Sequence, residues 1–316
     1  MARAFCNLAL IGTALTVAAT PASAGMRKDL DNCTAAEGRG SAAACTRVMN
    51  SGRLPDEQFY IGYFNRASGF QRAGDLEKAL ADFDRVVKLK PKFARGYQAR
   101  GYVQDELGRA AKALADMNRA IELDPKSWGA YYGRATLLRA KADYDGALDD
   151  LRRAAELKPD KDQIALTRAL VLADKRDFAG ARAEINRVLS GGHDNAAAYY
   201  ARAAVAFEED RRDAARADLK RALELRSKFA AARELTGRID EAEGDVAAAK
   251  ASYRSALAAP VDYIDARAAH KRARARLSAL GSGDNPDVAL AEPPRELGCK
   301  VFLPATGTII SADCSK

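Results

Sequence analysis

The chain has 316 residues and a formal net charge of +8, from 51 lysines and arginines against 43 aspartates and glutamates. It holds only two histidines, and no Gly-x-Ser-x-Gly, His-Glu-x-x-His or phosphate-loop motif is present, so neither an enzyme nor a cofactor is expected. Beyond the N-terminus no segment approaches the ~20 apolar residues of a membrane-spanning helix, so no membrane span is predicted.

Residues 1–24 have the pattern of a cleavable export signal. Arg3 supplies a positive start, an apolar stretch runs from Leu8 to Ala19, and a small-x-small site ends at Ala24. We expect cleavage after Ala24. Because the signal is compact and the composition is rich in alanine and arginine, the mature chain is expected in the periplasm of a bacterium or outside the cell.

The middle of the chain repeats itself every 34 residues without insertion or deletion. The copies run 60–93, 94–127, 128–161, 162–195, 196–229 and 230–263. Position 20 of the copies is always alanine: Ala79, Ala113, Ala147, Ala181, Ala215 and Ala249. A strict period of this length predicts a stack of helix pairs, an architecture that offers a binding surface more often than an active site.

Other repeat positions support antiparallel helix pairs. Position 8 is alanine or glycine in every copy, and position 24 is large and mostly apolar, from Phe83 in the first copy to Tyr253 in the last. Small residues allow two helices to approach, and the large residue fills the space beside the contact. Pro91, Pro125 and Pro159 are expected to stop the second helix in the first three copies.

Residues 74–91 combine a Gly-Asp turn, the alanine, the large residue and the closing proline. These features resemble the tetratricopeptide repeat (TPR) family, and the resemblance covers 60–263. It implies an all-α fold, a right-handed α-solenoid of six helix-turn-helix repeats. It also implies a concave face that is lined by the first helix of each pair and binds proteins or peptides.

Three charged columns run through the first five copies and fail together in the sixth. Position 7 is arginine, position 23 is acidic and position 26 is arginine; in the second copy these are Arg100, Asp116 and Arg119. The hypothesis is an Arg–acid–Arg link within each repeat, since the first arginine can reach the acid across the helix pair. The competing interpretation is a pair of basic ridges that bind an anionic glycan or lipid head groups.

Beyond the repeats, residues 264–280 predict one more helix. Its apolar stripe would cap the array, and Arg267, Lys271 and Arg274 would lie on a solvated outer face or, alternatively, bind an anionic partner. Residues 281–298 are predicted to be a linker, and 299–316 a β-hairpin tail.

Four of the five cysteines remain once the signal, which contains Cys6, is removed. They form two sequence-local pairs near the chain ends: Cys33 with Cys45, and Cys299 with Cys314. Three connectivities are possible, and local pairing is favoured because the array separates the ends. One bridge would staple an N-terminal half-repeat cap at 25–59 and the other would close the hairpin. The spacings do not suit zinc, so no metal site is predicted.

The concave positions of the TPR family include these residues of the chain as candidates for the groove: Phe64, Asn65, Arg95, Gln98, Tyr102, Tyr132, Arg139, Tyr200 and Phe207. The alternative is that several of the aromatic residues fill the groove or pack between helices. Aromatic and arginine side chains are typical of protein contacts. The sequence therefore predicts an interaction scaffold of the bacterial cell envelope, and alternatively an envelope component that binds an acidic glycan or lipid surface through its arginines. Nucleic acid is not expected, because the acidic column lies between the arginine columns. The oligomeric state is not indicated.

Overall fold

A computed structural model describes most of the chain. The described residues are 24–35, 38–52, 54–191, 194–260, 265–281, 296–297, 300–303 and 308–311. The predicted export signal thus lies outside them except for Ala24, and Cys299 and Cys314 lie outside them as well.

Within these ranges fifteen α-helices follow one another, with a short 3-10 helix at Asp56–Gln58. In chain order they are α1 Ala24–Ala35, α2 Gly38–Asn50, α3 Phe59–Arg72, α4 Leu76–Leu89, α5 Ala94–Glu106, α6 Ala110–Leu123, α7 Trp128–Ala140, α8 Tyr144–Leu157, α9 Asp162–Asp174, α10 Phe178–Leu189, α11 Ala196–Glu208, α12 Arg212–Leu225, α13 Ala230–Ala242, α14 Val246–Leu257 and α15 Ala266–Ala279. Each predicted copy holds one helix pair, from α3–α4 to α13–α14.

The small and large repeat positions pack as the pattern predicts. A Cβ atom added at Gly101, position 8 of the second copy, would lie 3.1 Å from Cε of Met117 and 3.2 Å from the carbonyl oxygen of Ala113. Met117 is at position 24 and Ala113 at position 20, and both are buried. A side chain larger than alanine at position 8 would therefore separate the two helices.

Proline does not by itself decide where the second helix ends. α4, α6 and α8 end two residues before Pro91, Pro125 and Pro159. α12 ends at the equivalent Leu225 although Ser227 replaces the proline, while α10 and α14 end two residues earlier in the repeat. The helix length is set by the packing of the pair as well as by the proline.

The first helices of neighbouring repeats contact one another along one side of the stack: α5 packs on α7, α7 on α9, α9 on α11 and α11 on α13. Each of these helices, and α3, has one side that faces the inside of the stack. We call the surface formed by these sides the groove. The charged and hydroxyl-bearing side chains of the groove belong to different repeats. The stacking of the repeats therefore determines which of these side chains contact one another.

Position 7 and position 23 form an ion pair within each of the first five repeats, which confirms that part of the hypothesis. In the four repeats that carry aspartate at position 23, two guanidinium nitrogens bind the two carboxylate oxygens at 2.6 to 2.8 Å. The pairs are Arg66–Asp82, Arg100–Asp116, Arg134–Asp150, Arg168–Glu184 and Arg202–Asp218. We call them the intra-repeat ion pairs.

The arginine at position 26 mostly does not join this link, and that part of the hypothesis is wrong. Arg119 binds Glu122, and Arg153 binds Glu156, each at 2.8 Å. In these two repeats an acid three residues further along the same helix is nearer to the arginine than the acid at position 23. The arginine therefore binds that nearer acid. Only Arg187 approaches its position-23 acid, Glu184, at 3.7 Å.

The N-terminal cap is a helix pair held by the predicted disulfide. α1 packs on α2 and α2 on α3, and a bond joins Cys33 to Cys45 with 4.6 Å between their Cα atoms. Both cysteines are buried beside Val48, Met49 and Ile61. The local pairing predicted for these two cysteines is confirmed.

The C-terminal part of the array ends with α15, which packs on α13 and α14. Its apolar stripe is buried as predicted, with Ala273 and Leu277 lying against Ala249, Tyr253 and Ala256. Three short strands follow, β1 Glu296–Leu297, β2 Lys300–Leu303 and β3 Thr308–Ser311, paired antiparallel in that order. β1 falls inside the segment predicted as linker, and β2 and β3 inside the predicted hairpin.

Candidate functional site in the groove

The first two predicted groove residues are part of the core. Phe64 and Asn65 are each only 3 % exposed. The ring of Phe64 lies edge-on to Phe83 and Phe93, with ring centres 5.5 and 5.6 Å apart. It packs in a buried cluster that also contains Val103 of the second repeat, so it does not present an aromatic surface to a partner.

Two further groove residues on α5 contact the start of α7 and the residue before it. The hydroxyl of Tyr102 donates a hydrogen bond to the carbonyl oxygen of Gly129 at 2.8 Å, and Ser127 donates to Oε1 of Gln98 at 3.1 Å. Arg95, on the same helix α5, is half-buried. These polar contacts hold neighbouring first helices in a fixed relation at the groove surface.

Tyr132 makes an equivalent connection one repeat further on. Its ring is buried, and its hydroxyl lies 3.1 Å from Oγ1 of Thr167 on α9. Burial raises the pKa of Tyr132, so the hydroxyl stays protonated and hydrogen-bonded through the physiological range. Tyr132 therefore connects two repeats and does not offer its ring to a partner.

The centre of the groove is occupied by Asp265, which directly precedes α15 and comes from the far end of the array. Arg139 on α7 binds its Oδ1 at 3.1 Å, and the hydroxyl of Tyr200 on α11 donates to its Oδ2 at 2.6 Å. Arg272 on α15 binds Oδ2 at 3.1 Å. Two predicted groove residues, Arg139 and Tyr200, thus meet a residue that the sequence did not single out.

The ionised state of Asp265 is strongly favoured. Burial by itself would raise the pKa of Asp265, but the nearby guanidinium groups of Arg272 and Arg139 and the Tyr200 hydroxyl outweigh burial and lower it to about 2. Burial and the charge of Asp265 also raise the pKa of Tyr200 well above its ordinary value. Near neutral pH the Tyr200 hydroxyl therefore donates a hydrogen bond to an ionised carboxylate.

A second contact crosses the groove two residues further along the chain, at the start of α15. Arg267 binds Oε1 of Glu106 at 2.7 Å and lies 3.6 Å from Oδ2 of Asp105, both on α5. The guanidinium carbon lies 5.5 Å from the ring centre of Tyr102. Arg267 was predicted to lie on the solvated outer face of a capping helix, and that prediction is wrong. The superhelix curves far enough for the start of α15 to reach the second repeat.

We call Arg139–Asp265 and Arg267–Glu106 the cross-groove contacts. Lys271 and Arg274, also predicted on the outer face, are exposed. The basic residues of α15 therefore divide between solvent and groove, and the groove-facing ones neutralise acids of the first helices. Buried Glu234 on α13, which is 0 % exposed, binds Arg272 at 2.8 Å.

Beside these contacts the groove keeps an open cleft of about 710 Å³, which lies between α9, α11, α13 and α15. Phe207 forms part of its wall, with the guanidinium of Arg238 4.6 Å from its ring centre. Arg238 also binds Glu208 at 3.1 Å, and Arg276 binds Glu241 at 3.0 Å. The cleft thus combines an aromatic ring with charges of both signs, which suits a polypeptide better than a uniformly charged polymer.

Groups suited to catalysis or metal binding are few in the described chain. His270 is half-buried on α15, and burial together with Arg274 lowers its pKa, so it is neutral at pH 7. His193 lies outside the described residues. Among the described residues no cluster of three or more histidine, cysteine or acidic side chains is arranged to hold a metal ion. The same residues contain no helix long and apolar enough to cross a bilayer.

Known structures share this fold. A tetratricopeptide repeat protein from Parabacteroides merdae aligns over 79 % of this chain and 97 % of its own, with 20 % identity and a TM-score of 0.64. Cut9–Hcn1 of the APC/C aligns over 78 % and 48 %, with 16 % identity and a TM-score of 0.56. PilW, a type IV pilus biogenesis factor, aligns over 64 % and 93 %, with 19 % identity and a TM-score of 0.51. The comparison with curated proteins found no match.

Family models agree with the helix pairs. One tetratricopeptide repeat model matches residues 64–128, 99–162 and 132–198, and a second matches 196–229. Together the matches span more than half of the chain and follow the 34-residue period. The chain belongs to the tetratricopeptide repeat family.

Proposed function

We propose that this protein is an interaction scaffold that binds a segment of another protein in its groove, at the cleft bounded by Phe207, Arg238 and α15. One observation carries the proposal: the groove already holds a polypeptide segment, because Asp265 and Arg267 of the chain itself are bound there by a hydroxyl, a guanidinium and carboxylates. The open cleft continues this surface with the same mixture of groups.

The second candidate, an anionic glycan or lipid ligand on the arginine columns, has weaker support. The position-7 arginines are half-buried, and each is already bound to an acid in an intra-repeat ion pair. Four of them also lie over the tyrosine at position 4, with centroid distances of 5.3 to 5.8 Å. Binding a phosphate or sulfate would require these contacts to be given up.

We further propose that the protein works in the periplasm or outside the cell, after removal of residues 1–24. The Cys33–Cys45 disulfide supports an oxidising compartment, because such bonds form and persist there. The proposal includes a location in the cell envelope. N-terminal sequencing of the exported protein tests the cleavage after Ala24.

Peptide selection on the full-length protein tests the groove. Peptides from a random library are selected for binding, and their dissociation constants are measured for the wild type, Phe207→Ala and the control Leu89→Ala. Leu89 is 51 % exposed at the end of α4, a second helix. Phe207→Ala should weaken binding at least tenfold, about 1.4 kcal/mol, and Leu89→Ala should leave it unchanged. Tyr132 and Tyr200 are unsuitable test sites, because they are buried and hydrogen-bonded.

Binding to anionic vesicles or an acidic polysaccharide separates the two candidates. Such binding should fall steeply with salt, whereas binding of the selected peptides should depend on salt only weakly. If Phe207→Ala and Leu89→Ala bind the peptides equally well, the cleft is not the binding site. If only the anionic polymers bind, the second candidate replaces the first.

A further inference from the structure

The three groove groups that hold Arg267 form a built site for a guanidinium ion. Glu106 is only 8 % exposed at its side chain and accepts the closest hydrogen bond, and Asp105 supplies a second carboxylate. Tyr102 offers the face of its ring, a favourable position for a planar cation. Gln71 on α3 donates to Oε1 of Glu106 at 2.7 Å, so a neighbouring repeat orients the carboxylate.

Arg267 fills this site incompletely. Its Nε atom is buried without a hydrogen-bond partner, and its approach to Asp105 is 3.6 Å, longer than an ordinary hydrogen bond. Burial raises the pKa of Asp105 even though Arg267 lies beside it. A fork-shaped guanidinium can bind two carboxylates with four short hydrogen bonds, and much of that capacity is unused here.

The backbone at the start of α15 has an unusual conformation. Asp265, two residues before Arg267, has φ of 58°, a left-handed conformation that has some cost even for aspartate, which adopts it more readily than most residues with a side chain. The start of α15 is thus held in the groove by its side-chain contacts and against a backbone preference. The rest of α15 stays in place through other contacts, because Ala273 and Leu277 are buried and Arg272 binds Glu234.

We propose that Tyr102, Asp105 and Glu106 form a guanidinium-recognition site of the groove, and that an arginine side chain of the partner segment takes this site in exchange for Arg267. The inference deepens the proposed function and rests on it for the identity of the partner as a protein segment. The side chain of Arg267 is 35 % exposed, so the site opens to the groove. An arginine on a separate chain is free of the strain at Asp265 and can engage both carboxylates.

The test uses two tripeptides and the full-length protein. Acetyl-Ala-Arg-Ala-amide is the probe, and the same tripeptide with citrulline, an uncharged isostere of arginine, is its control. Binding is measured by NMR titration of the wild type, Arg267→Ala and Arg274→Ala. Arg274 is the matched control variant, because it is an exposed arginine on the same helix.

Arg267→Ala should bind the arginine tripeptide at least tenfold more tightly than the wild type and Arg274→Ala do, because the competing side chain is gone. The citrulline tripeptide should bind Arg267→Ala at least tenfold more weakly than the arginine tripeptide. Adding Glu106→Gln to Arg267→Ala should abolish the gain. Arg267→Gln retains part of the side-chain stem and serves as a second variant in case Arg267→Ala loosens α15. It should also bind the arginine tripeptide more tightly than the wild type does, and more tightly than it binds the citrulline tripeptide.

Equal binding of the two tripeptides, or equal behaviour of Arg267→Ala and Arg274→Ala, would overturn the proposal and leave Arg267–Glu106 as a purely structural contact. Conversion of Arg267→Ala to a dimer on analytical ultracentrifugation would also overturn it, because the site would then serve a second copy of the chain. The peptide selection on Phe207 is independent of these outcomes, so failure of the proposed function and failure of this inference can be told apart.

Discussion

A single position in the turn of each repeat shows how the backbone geometry is kept while the sequence varies. Position 15 has positive φ in all six repeats, from 59° at Asp210 to 85° at Gly244. Glycine occupies it in the first, second and sixth repeats, whereas Ala142, Arg176 and Asp210 occupy it in the others. Glycine adopts this conformation freely and alanine does not, so the middle repeats carry strain in their turns.

Replacing Ala142 by glycine should relieve that strain. Ala142 is exposed and has φ of 60°. We expect Ala142→Gly to raise the free energy of unfolding by roughly 0.5–1 kcal/mol, the left-handed penalty less the added entropy of glycine in the unfolded chain. The reverse change, Gly108→Ala at φ of 73°, should lower it. Urea denaturation of both variants measures the effect, and a destabilised Ala142→Gly would contradict it.

Between helices, the intra-repeat ion pairs fix how the two members of a pair lie against each other. Each one joins a half-buried arginine to a largely buried acid across the antiparallel contact, sixteen residues apart in sequence. Arg100 and Arg134 also reach the preceding repeat, at Asp84 and Asn118, each at 2.8 Å. The same guanidinium thus sets the geometry inside a repeat and the stacking on its neighbour.

The geometry of the fork predicts that lysine cannot replace this arginine. Arg134 binds both oxygens of buried Asp150, and a lysine ammonium would leave one of them without its partner. We expect Arg134→Lys to lower the stability of α7 and α8 by about 1.5 kcal/mol. Arg153→Lys, in the same repeat but with an exposed partner, should have no measurable effect. Native-state hydrogen exchange of α7 and α8 compares the two variants. Equal effects of Arg134→Lys and Arg153→Lys would show that the two-pronged contact of Arg134 with Asp150 does not stabilise the helix pair.

At the scale of the whole molecule, the cross-groove contacts join segments that are far apart in sequence. Arg139 and Asp265 are 126 residues apart, and Glu106 and Arg267 are 161 apart. They connect the second and third repeats directly to the last helix. The groove is therefore bridged across its width by ion pairs as well as lined by stacked helices.

The lowered pKa of Asp265 makes its contribution to stability depend on pH. Its pKa is about 2 in the folded protein against an ordinary 3.8, so the stabilisation is fully present above about pH 4 and is lost as pH falls towards 2. The shift corresponds to about 2 kcal/mol. Wild type should exceed Asp265→Asn in free energy of unfolding at pH 6, and the difference should shrink between pH 4 and 2. A difference that does not change with pH would contradict the role of the charge.

The repeat period allowed the fold and the short-range contacts to be predicted. Position 8 against position 24, Cys33 with Cys45, and Arg100 with Asp116 all follow from spacing within one helix pair. The groove was harder to predict, because the contacts of Asp265 depend on how much the stack curves over four repeats. Curvature arises from many small differences in packing between repeats, and no residue pattern records it. Phe64 was misplaced for a different reason, because Phe83 and Phe93 of its own repeat pack edge-on against its ring and bury it.

The span between Glu106 and Arg267 has a consequence for the order of folding. Helix pairs can fold one after another as the chain emerges, but this ion pair has to wait until every intervening repeat is complete. Until then Asp105, Glu106 and Glu234 face the interior without the arginines of α15. A nascent or truncated chain therefore carries a more acidic inner wall than the finished protein.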